Sequence, residues 1–305
     1  MKKLDAVKLL ACMNKAGLRP RYDVNMKGFT SLKIGGTADV FIDVGNIYEL
    51  KEVIKFAHKN RIPVFVLGKG TNILVKDKGI RGIVIRLRKE FEKINFYGSR
   101  VKTGAGSLLS KLIRESTKRG LAGLECMAGI PGTVGGACLI NAGTREGEIG
   151  DRIINVICLT KEGKVRKINK KDIKFEYRHT DLPERKLIIT EVEMELYRDK
   201  RENCENRIMN FLNRRKQTQP LNFPNAGCIF KNPASRLSAG ALIENAGLKG
   251  KRVGDIEISV VHANFIINRG DGTARDVIRI IKLIESKVKR EFDIQLEKEI
   301  IIVGE

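Results

Sequence analysis

Two glycine-rich stretches contain the residues best suited to binding a charged ligand. The longer one, residues 125–143, reads ECMAGIPGTVGGACLINAG, and the shorter one is Gly68-Lys69-Gly70-Thr71-Asn72. Glycine has no Cβ and adopts positive φ easily, so such backbones can approach a flat or phosphorylated ligand and point N–H groups at it. A buried glycine-rich turn would have the same composition. The presence of two such loops nevertheless predicts a cradle for a phosphorylated ligand.

The shorter loop does not match the two common nucleotide-binding motifs. A Rossmann fingerprint would need a third glycine at position 73 followed by a helix, but Ile73-Leu74-Val75 is apolar and reads as extended. A phosphate-binding P-loop would need Ser or Thr after its Gly-Lys pair, whereas Gly70 follows Lys69. The shorter loop is therefore neither a Rossmann fingerprint nor a phosphate-binding P-loop.

Three polar spots could supply an acid, a base or a charge. Tyr177-Arg178-His179 follows a predicted strand, Cys228 lies in the segment NAGCIFKNP, and Glu297 and Glu299 precede the last apolar run. Residue type alone also allows a structural role for each, as a solvated strand end, a small buried hydrophobe and a charged cap. Composition does not separate these readings.

Other catalytic and metal-binding patterns are missing from the sequence. The histidines His58, His179 and His262 form no H-E-x-x-H or H-x-H spacing, so we expect no metal site. No G-x-S-x-G elbow exists, which removes the best support for a serine hydrolase. The six cysteines form no C-x-x-C pair, and this indicates a reduced, cytoplasmic protein without a zinc or disulfide framework.

The amino-acid composition indicates a folded protein, and its net charge favours anionic partners. The length of 305 residues is enough for two or three domains with their own cores. The contents of 42% hydrophobic and 31% charged residues are those of a folded protein. The net charge of +22 favours nucleic acid, an acidic membrane surface or a phosphorylated small molecule. Basic residues are spread along the chain with short clusters such as Arg214-Arg215-Lys216, and only 6% of residues are aromatic, which argues against a stacking platform for single strands. The sequence contains no run of about 18 apolar residues, so no membrane span is predicted.

Hydrophobic periodicity predicts an α+β chain with an irregular central sheet. The N-terminus reads as a short amphipathic helix. A strand at 40–44, a helix at 47–59 and a strand at 63–67 read as a βαβ unit that ends at the shorter glycine loop. We place domain boundaries near 88 and 198, which gives ranges 1–88, 89–198 and 199–305. Further helices are expected at 107–119, 198–216, 239–245 and 274–292, a loop at 225–233, strands within 259–268, and a closing strand at 300–303, whose return to the first range is left open.

Six motifs, in this order, resemble the UDP-N-acetylenolpyruvoylglucosamine reductases of bacterial cell-wall synthesis: TSLKIGGTADVF, LGKGTNILV, AGIPGTVGGACLINAG, FEYRHTDL, PNAGCIFKNP and LEKEIIIVGE. The resemblance covers nearly the whole chain after the first helix. It implies an FAD-binding unit of the vanillyl-alcohol oxidase type in two subdomains, followed by a C-terminal UDP-sugar-binding domain. The activity implied is that of a UDP-N-acetylmuramate dehydrogenase, an oxidoreductase that uses NADPH to reduce UDP-N-acetylglucosamine enolpyruvate.

The resemblance also implies roles for particular residues. Arg178 and Glu299 would polarise the substrate carboxylate, and Cys228 would donate the proton. Many members have Ser at this position, and the thiol, with a reference pKa of about 8.5, is the stronger acid. FAD would be held by Gly68, Lys69, Gly70, Thr71, Asn72, Gly129, Ile130, Pro131, Gly132, Thr133, Gly136 and Ala137. Candidates for the UDP-sugar are Tyr177, Arg214, Lys216, Lys231 and Asn232.

The spacing of the motifs also indicates the class of reductase. The interval from Arg178 to Cys228 is only 50 residues (228 − 178), which leaves little chain for the tyrosine-bearing lid of the longer class. We therefore expect the shorter class without that lid, acting as a monomer without nucleic-acid binding or membrane insertion. Two alternatives remain open: a flavoprotein of the same FAD fold that acts on another hydroxy acid or sugar, and an RNA-binding protein suggested by the charge.

Overall fold

The computed structural model describes Leu9 and residues 11–305. Most of the expected N-terminal amphipathic helix falls outside these residues, although residues 11–15 are helical. The chain combines six further α-helices, counted from Ile47 onward, with many short strands. The α+β class expected from the sequence is therefore confirmed.

From Arg21 onward, the described residues form 21 strands and six α-helices. They are β1 Arg21–Asn25, β2 Thr37–Val44, α1 Ile47–Lys59, β3 Val64–Val66, β4 Ile73–Val75, β5 Ile80–Leu87, β6 Ile94–Tyr97, β7 Arg100–Gly104, α2 Leu109–Thr117, β8 Leu121–Ala122, α3 Val134–Leu139, β9 Gly143–Thr144, β10 Gly147–Glu148, β11 Ile153–Leu159, β12 Val165–Asn169, β13 Phe175–Glu176, β14 His179–Thr180, β15 Ile188–Glu195, β16 Tyr197–Arg198, α4 Arg201–Thr218, β17 Asn225–Cys228, α5 Ala239–Asn245, β18 Arg252–Val253, β19 Ile256–Ile258, β20 Phe265–Asn268, α6 Ala274–Phe292 and β21 Ile301–Val303.

The chain folds into two compact units, each built from several segments. The first contains the described residues up to Tyr22, together with Val40–Lys69 and Gly82–Arg214. The second contains Asp23–Asp39, Gly70–Arg81 and Arg215–Glu305. Both units are discontinuous in sequence, whereas the three ranges expected from the sequence were continuous.

The first unit is organised around a five-stranded sheet in the order β12-β11-β15-β7-β6, in which all four pairs are antiparallel. A second sheet has the order β1-β2-β5-β3, so β5 lies between the two strands that were expected to form a βαβ unit. Helix α1 buries its apolar positions Leu50, Val53 and Ile54, and Asn46 caps its start by accepting a hydrogen bond from the Glu49 N–H. This amphipathic spacing is why its bounds could be read from the sequence.

The second unit packs helix α6 over the sheet β17-β20-β19-β18. Thr273 and Asp276 form a capping box at the start of this helix, and Val277, Ile280, Ile281, Ile284 and Val288 are buried along one face. Strand β21 pairs in parallel with β4, which places the last strand beside residues 73–75 of the N-terminal part. No helix in the described part is long and apolar enough to cross a membrane.

Candidate functional site

The longer glycine stretch is fixed in the first unit against a neighbouring loop. The N–H of Val134 donates to the carbonyl oxygen of Ser107 at 2.8 Å, and that of Gly135 donates to Ala105 at 2.8 Å. In the opposite direction, the Leu109 N–H donates to the Gly132 carbonyl at 3.1 Å. Gly129 and Gly132 have φ values of 79° and 154°, which only glycine adopts without strain. These hydrogen bonds and φ values hold the backbone of the longer glycine stretch in a defined conformation.

Within this stretch the chain forms the short helix α3, which was not expected from the sequence. Thr133 caps the helix, because its hydroxyl accepts from the Gly136 N–H at 3.3 Å. Glycines have low helix propensity, so the pattern Val-Gly-Gly-Ala-Cys-Leu gives no helical signal by itself. Packing on Ala105 explains the glycine at position 135 of this helix, because a Cβ there would stand 2.8 Å from the Ala105 Cβ.

The two glycine loops meet at Gly68 and Thr133. A Cβ on Gly68 would stand 2.8 Å from the Thr133 hydroxyl, so this approach requires glycine. On Gly136 a Cβ would meet nothing nearer than that hydroxyl at 3.4 Å, which leaves an open face of bare backbone. Lys69, the residue after Gly68, is exposed. Bare backbone with a lysine suits the diphosphate of FAD, so these residues fit the cofactor.

The remaining residues of the shorter loop belong to the second unit. Gly70 lies so close to the Phe29 carbonyl oxygen that a Cβ would overlap it, and its φ is 67°. The Asn72 amide donates to the Glu299 carbonyl oxygen at 3.2 Å. Ile130 and Ala137 of the longer stretch are half-buried and buried, whereas Pro131 is exposed.

Arg178 lies at the tip of a tight hairpin formed by β13 and β14. Phe175 pairs with Thr180 and Glu176 with His179, so Tyr177 and Arg178 make the turn. The φ of Arg178 is 55°, and its Nη2 donates to the Gly143 carbonyl oxygen at 2.7 Å. The guanidinium also lies 5.3 Å from the centre of the Tyr177 ring. The hairpin therefore holds Arg178 against the end of the longer glycine stretch.

Cys228 and Glu299 lie on adjacent backbone segments of the second unit. Cys228 ends strand β17 opposite Phe265, just after a register shift at Gly227, whose φ is 77°. The next residue, Ile229, accepts the N–H of Glu299 at 2.8 Å. The acid position and one carboxylate-contacting position expected from the sequence are thus brought together by backbone pairing.

Buried Asn264 holds the backbone of Phe230, the residue after Ile229, and was not identified from the sequence. Its side-chain oxygen accepts the Phe230 N–H at 3.0 Å, and its side-chain NH₂ donates to the Phe230 carbonyl at 2.8 Å. The Asn264 N–H in turn donates to Nδ1 of His262 at 3.2 Å, so this nitrogen is unprotonated. Burial lowers the pKa of His262, assisted by Lys249 and opposed by Glu244.

Two candidate substrate residues of the same unit already have partners. The Lys231 Nζ lies 2.6 Å from Oε1 of Glu297. The side-chain oxygen of Asn232 accepts the Ala239 N–H at 3.0 Å, at the start of helix α5. Both contacts are near the surface, where an incoming phosphate could exchange with them.

The basic cluster lies on helix α4. Arg214 pairs with Glu146 at 2.9 Å, and Lys216 is exposed. Further up the helix, Arg207 contacts Glu125 and Asp199. Burial raises the pKa of Glu125, but the hydrogen bond from Arg207, the backbone hydrogen bonds and the charge of Arg207 together outweigh burial and lower the pKa overall.

Comparison with known proteins identifies the family. A model of the UDP-N-acetylenolpyruvoylglucosamine reductase C-terminal domain matches residues 219–303, and a model of an FAD binding domain matches residues 38–169. The UDP-N-acetylenolpyruvoylglucosamine reductase 2 of Symbiobacterium thermophilum is 43% identical over 279 residues, which are 92% of this chain and 90% of that protein. The chain belongs to the UDP-N-acetylenolpyruvoylglucosamine reductase family.

Other members of this reductase family agree with that placement. The reductase of Alkaliphilus oremlandii is 41% identical over 283 residues, 93% of each chain. The crystal structure of the reductase from Thermus caldophilus superimposes with a TM-score of 0.81 and 36% identity, covering 94% of this chain and 99% of that one. The expectation of an FAD-binding oxidoreductase of peptidoglycan synthesis is confirmed.

Proposed function

We propose that the protein uses NADPH to reduce UDP-N-acetylglucosamine enolpyruvate to UDP-N-acetylmuramate, with Cys228 as the proton donor. The observation that carries this proposal is the backbone pairing of the Cys228 segment with Glu299, at 2.8 Å between the Glu299 nitrogen and the Ile229 oxygen. A carboxylate contact and an acid on adjacent backbone segments suit a substrate that gains a proton next to its own carboxylate.

The chemistry divides between the cofactor and the side chains. When bound, FAD supplies the hydride that the terminal carbon of the enolpyruvyl group takes up. The adjacent carbon then carries the electron pair, conjugated with the carboxylate. Arg178 and Glu299 polarise that carboxylate, and the Cys228 Sγ–H gives its proton to the carbon. One hydride and one proton saturate the double bond, so the reaction balances.

Backbone and side chains of the glycine loops would hold the cofactor. We assign this role to Gly68, Lys69, Gly70, Thr71, Asn72, Gly129, Ile130, Pro131, Gly132, Thr133, Gly136 and Ala137. The open face at Gly136 supports the assignment. Tyr177, Arg214, Lys216, Lys231 and Asn232 would bind the UDP-sugar, with Lys231 and Arg214 exchanging their carboxylate partners for phosphate.

We further propose that the protein works as a monomer in the cytoplasm without a tyrosine lid. All six cysteines are free, which supports a reducing compartment. All residues between Arg178 and Cys228 are described, and the one tyrosine among them, Tyr197, pairs with Ala122 in a two-stranded sheet. An Arg152 guanidinium lies 5.2 Å from its ring centre.

The two half-reactions can be followed separately by the absorbance of the flavin. Under anaerobic conditions, NADPH should bleach the flavin of the purified protein, and the enolpyruvyl UDP-sugar should restore the oxidised spectrum. Protein that binds FAD but is not reoxidised by this sugar would point to another flavoprotein activity. Protein that binds no FAD would contradict the proposal as a whole.

A further inference from the structure

Asn141 has a strained backbone in a fully buried place. Its φ is 45° and its exposed fraction is 1%. It follows helix α3, and the next N–H, from Ala142, reaches back to the Ala137 carbonyl at 2.8 Å. A left-handed residue that ends a helix in this way is normally glycine, because a side chain adds strain. A purely structural cap would therefore favour Gly at this position.

The side chain of Asn141 uses all of its hydrogen-bonding groups on one neighbourhood. Its nitrogen donates to the Glu176 carbonyl at 3.0 Å and to the Glu148 carboxylate at 2.5 Å. Its oxygen accepts the Gly150 N–H at 3.1 Å. Glu176 is the residue before the Tyr177-Arg178 turn, so the amide holds the backbone of the hairpin next to its tip.

Two more contacts flank this one at alternate positions. The Thr180 hydroxyl donates to the Leu139 carbonyl at 2.8 Å, and Arg178 Nη2 donates to the Gly143 carbonyl at 2.7 Å. The hairpin is thus attached at 139, 141 and 143 to the segment that continues from the glycine stretch. Among these three contacts, only the Asn141 contact comes from a side chain of that segment.

We propose that Asn141 is a positioning residue that fixes the hairpin and thereby the direction of the Arg178 guanidinium. The inference rests on the proposed role of Arg178 toward the substrate carboxylate. A planar guanidinium acts through aligned N–H groups, so a shift of about 1 Å in its support can lower the rate by about 10²-fold. Asn141 therefore affects only the half-reaction that uses Arg178.

The test compares substitutions that separate backbone strain from the loss of the amide. Asn141→Gly accepts the left-handed backbone and removes the side chain. Arg61→Gly is the matched control, because Arg61 is also left-handed, at 53°, follows helix α1 and is exposed. For Asn141→Gly we expect unchanged FAD affinity, unchanged reduction by NADPH, and reoxidation by the enolpyruvyl UDP-sugar slowed about 10²-fold. Arg61→Gly should match the wild type in all three measurements.

A double-mutant cycle with Arg178→Ala shows whether Asn141 acts through the arginine. Arg178→Ala alone should slow reoxidation strongly, and adding Asn141→Gly should then change the rate by less than about threefold, because the two residues act as one unit. Additive effects, or an equal loss of FAD affinity, would mean that Asn141 is only structural and would overturn the inference. Normal reoxidation by Arg178→Ala would instead contradict the proposed role of Arg178, and with it the inference.

If Asn141→Gly does not fold, Asn141→Asp gives the same comparison. Aspartate also tolerates the left-handed conformation and keeps the oxygen that accepts from Gly150. It loses the N–H donor to Glu176 and places a second carboxylate beside Glu148. Reoxidation at the wild-type rate in this variant would overturn the inference.

Discussion

The proposed role of Cys228 depends on the backbone that carries it. Gly227, with φ at 77°, shifts the strand register just before the thiol, and Cys228 remains half-buried at the end of β17. Removing the thiol should remove proton donation alone. Cys228→Ala should be reduced by NADPH at the wild-type rate while reoxidation by substrate falls by about 10²–10⁴-fold. Cys228→Ser, which keeps an exchangeable proton at the same place, should retain much of the activity. Stopped-flow absorbance measures both rates, and wild-type reoxidation in Cys228→Ala would refute the assignment.

His262 should make the second unit sensitive to acid. Burial lowers its pKa from an ordinary value of about 6.5, so the unfolded chain binds a proton that the folded chain resists. The free energy of unfolding should therefore fall as the pH drops from about 6.5 toward that lowered pKa. Protonation would also remove the Nδ1 acceptor of the Asn264 N–H.

The matched variant for this effect is His262→Gln, which can accept a hydrogen bond but does not titrate. Urea unfolding at about pH 5 and about pH 8 should show a smaller loss of stability for this variant than for the wild type. The carboxylates contribute to both proteins and cancel in the difference. Equal pH dependence in the two proteins would count against a contribution from His262.

At the scale of single residues, only the order of the motifs pointed to the chemistry. Arg178, Cys228 and Glu299 are ordinary residue types, and their candidacy came from resemblance. Asn141 and Asn264 had no visible signal, since a buried asparagine is recognised by the backbone groups it meets. The Glu176 carbonyl lies 35 residues from Asn141, and the Phe230 N–H lies 34 residues from Asn264. Long-range contacts of this kind are not encoded in local spacing.

Among the elements, helices with an apolar face were readable, including the seven-residue helix α5, whereas the glycine-rich helix α3 was not. The bounds of 47–59, 239–245 and 274–292 agree with the structure, because caps and apolar faces mark them. The expected loop at 225–233 begins with strand β17, and only 265–268 of the expected strand region 259–268 is extended. Strands β18 and β19 went unnoticed because two or three residues cannot show an alternating pattern.

Helix α3 offers a direct test of the flavin cradle, because its two glycines face different surroundings. A Cβ on Gly135 would press on Ala105, with contacts of 2.8 and 3.0 Å, whereas one on Gly136 would meet only Thr133 at 3.4 Å. Gly135→Ala should therefore destabilise the apoprotein by about 1–3 kcal/mol. Gly136→Ala should leave its stability unchanged or raise it by up to about 1 kcal/mol, while FAD affinity falls.

Urea unfolding of the apoproteins and titration with FAD, followed by quenching of flavin fluorescence, separate these two effects. Gly135→Ala serves as the packing control for Gly136→Ala. If Gly136→Ala binds FAD as tightly as the wild type, Gly136 does not face the cofactor, and the assignment of the open face is wrong.

At the scale of the whole molecule, the main electrostatic property is the net charge of +22, the excess of basic over acidic residues. Many surface pairs, such as Arg214 with Glu146, join residues whose charges the solvent already screens. Their contribution to stability is small, so the excess of basic residues is more informative about ligands than about folding. Every proposed ligand of this protein, the UDP-sugar, NADPH and FAD, carries negative charge.

Salt should weaken substrate binding, because no tyrosine-bearing lid is present between Arg178 and Cys228 to hold UDP in place. We expect Arg214 and Lys216 to attract the diphosphate, and screening shortens from about 10 Å at 0.1 M salt to about 3 Å at 1 M. The Kd of the enolpyruvyl UDP-sugar for the oxidised protein, measured from the flavin spectrum, should rise across that range.

Arg214→Gln and Lys216→Gln should raise the Kd at low salt and flatten its dependence on salt. Lys282→Gln, which removes the same charge from the exposed side of helix α6, should behave as the wild type. A Kd that does not change with salt, or equal effects from all three variants, would show that UDP is held by neutral contacts instead.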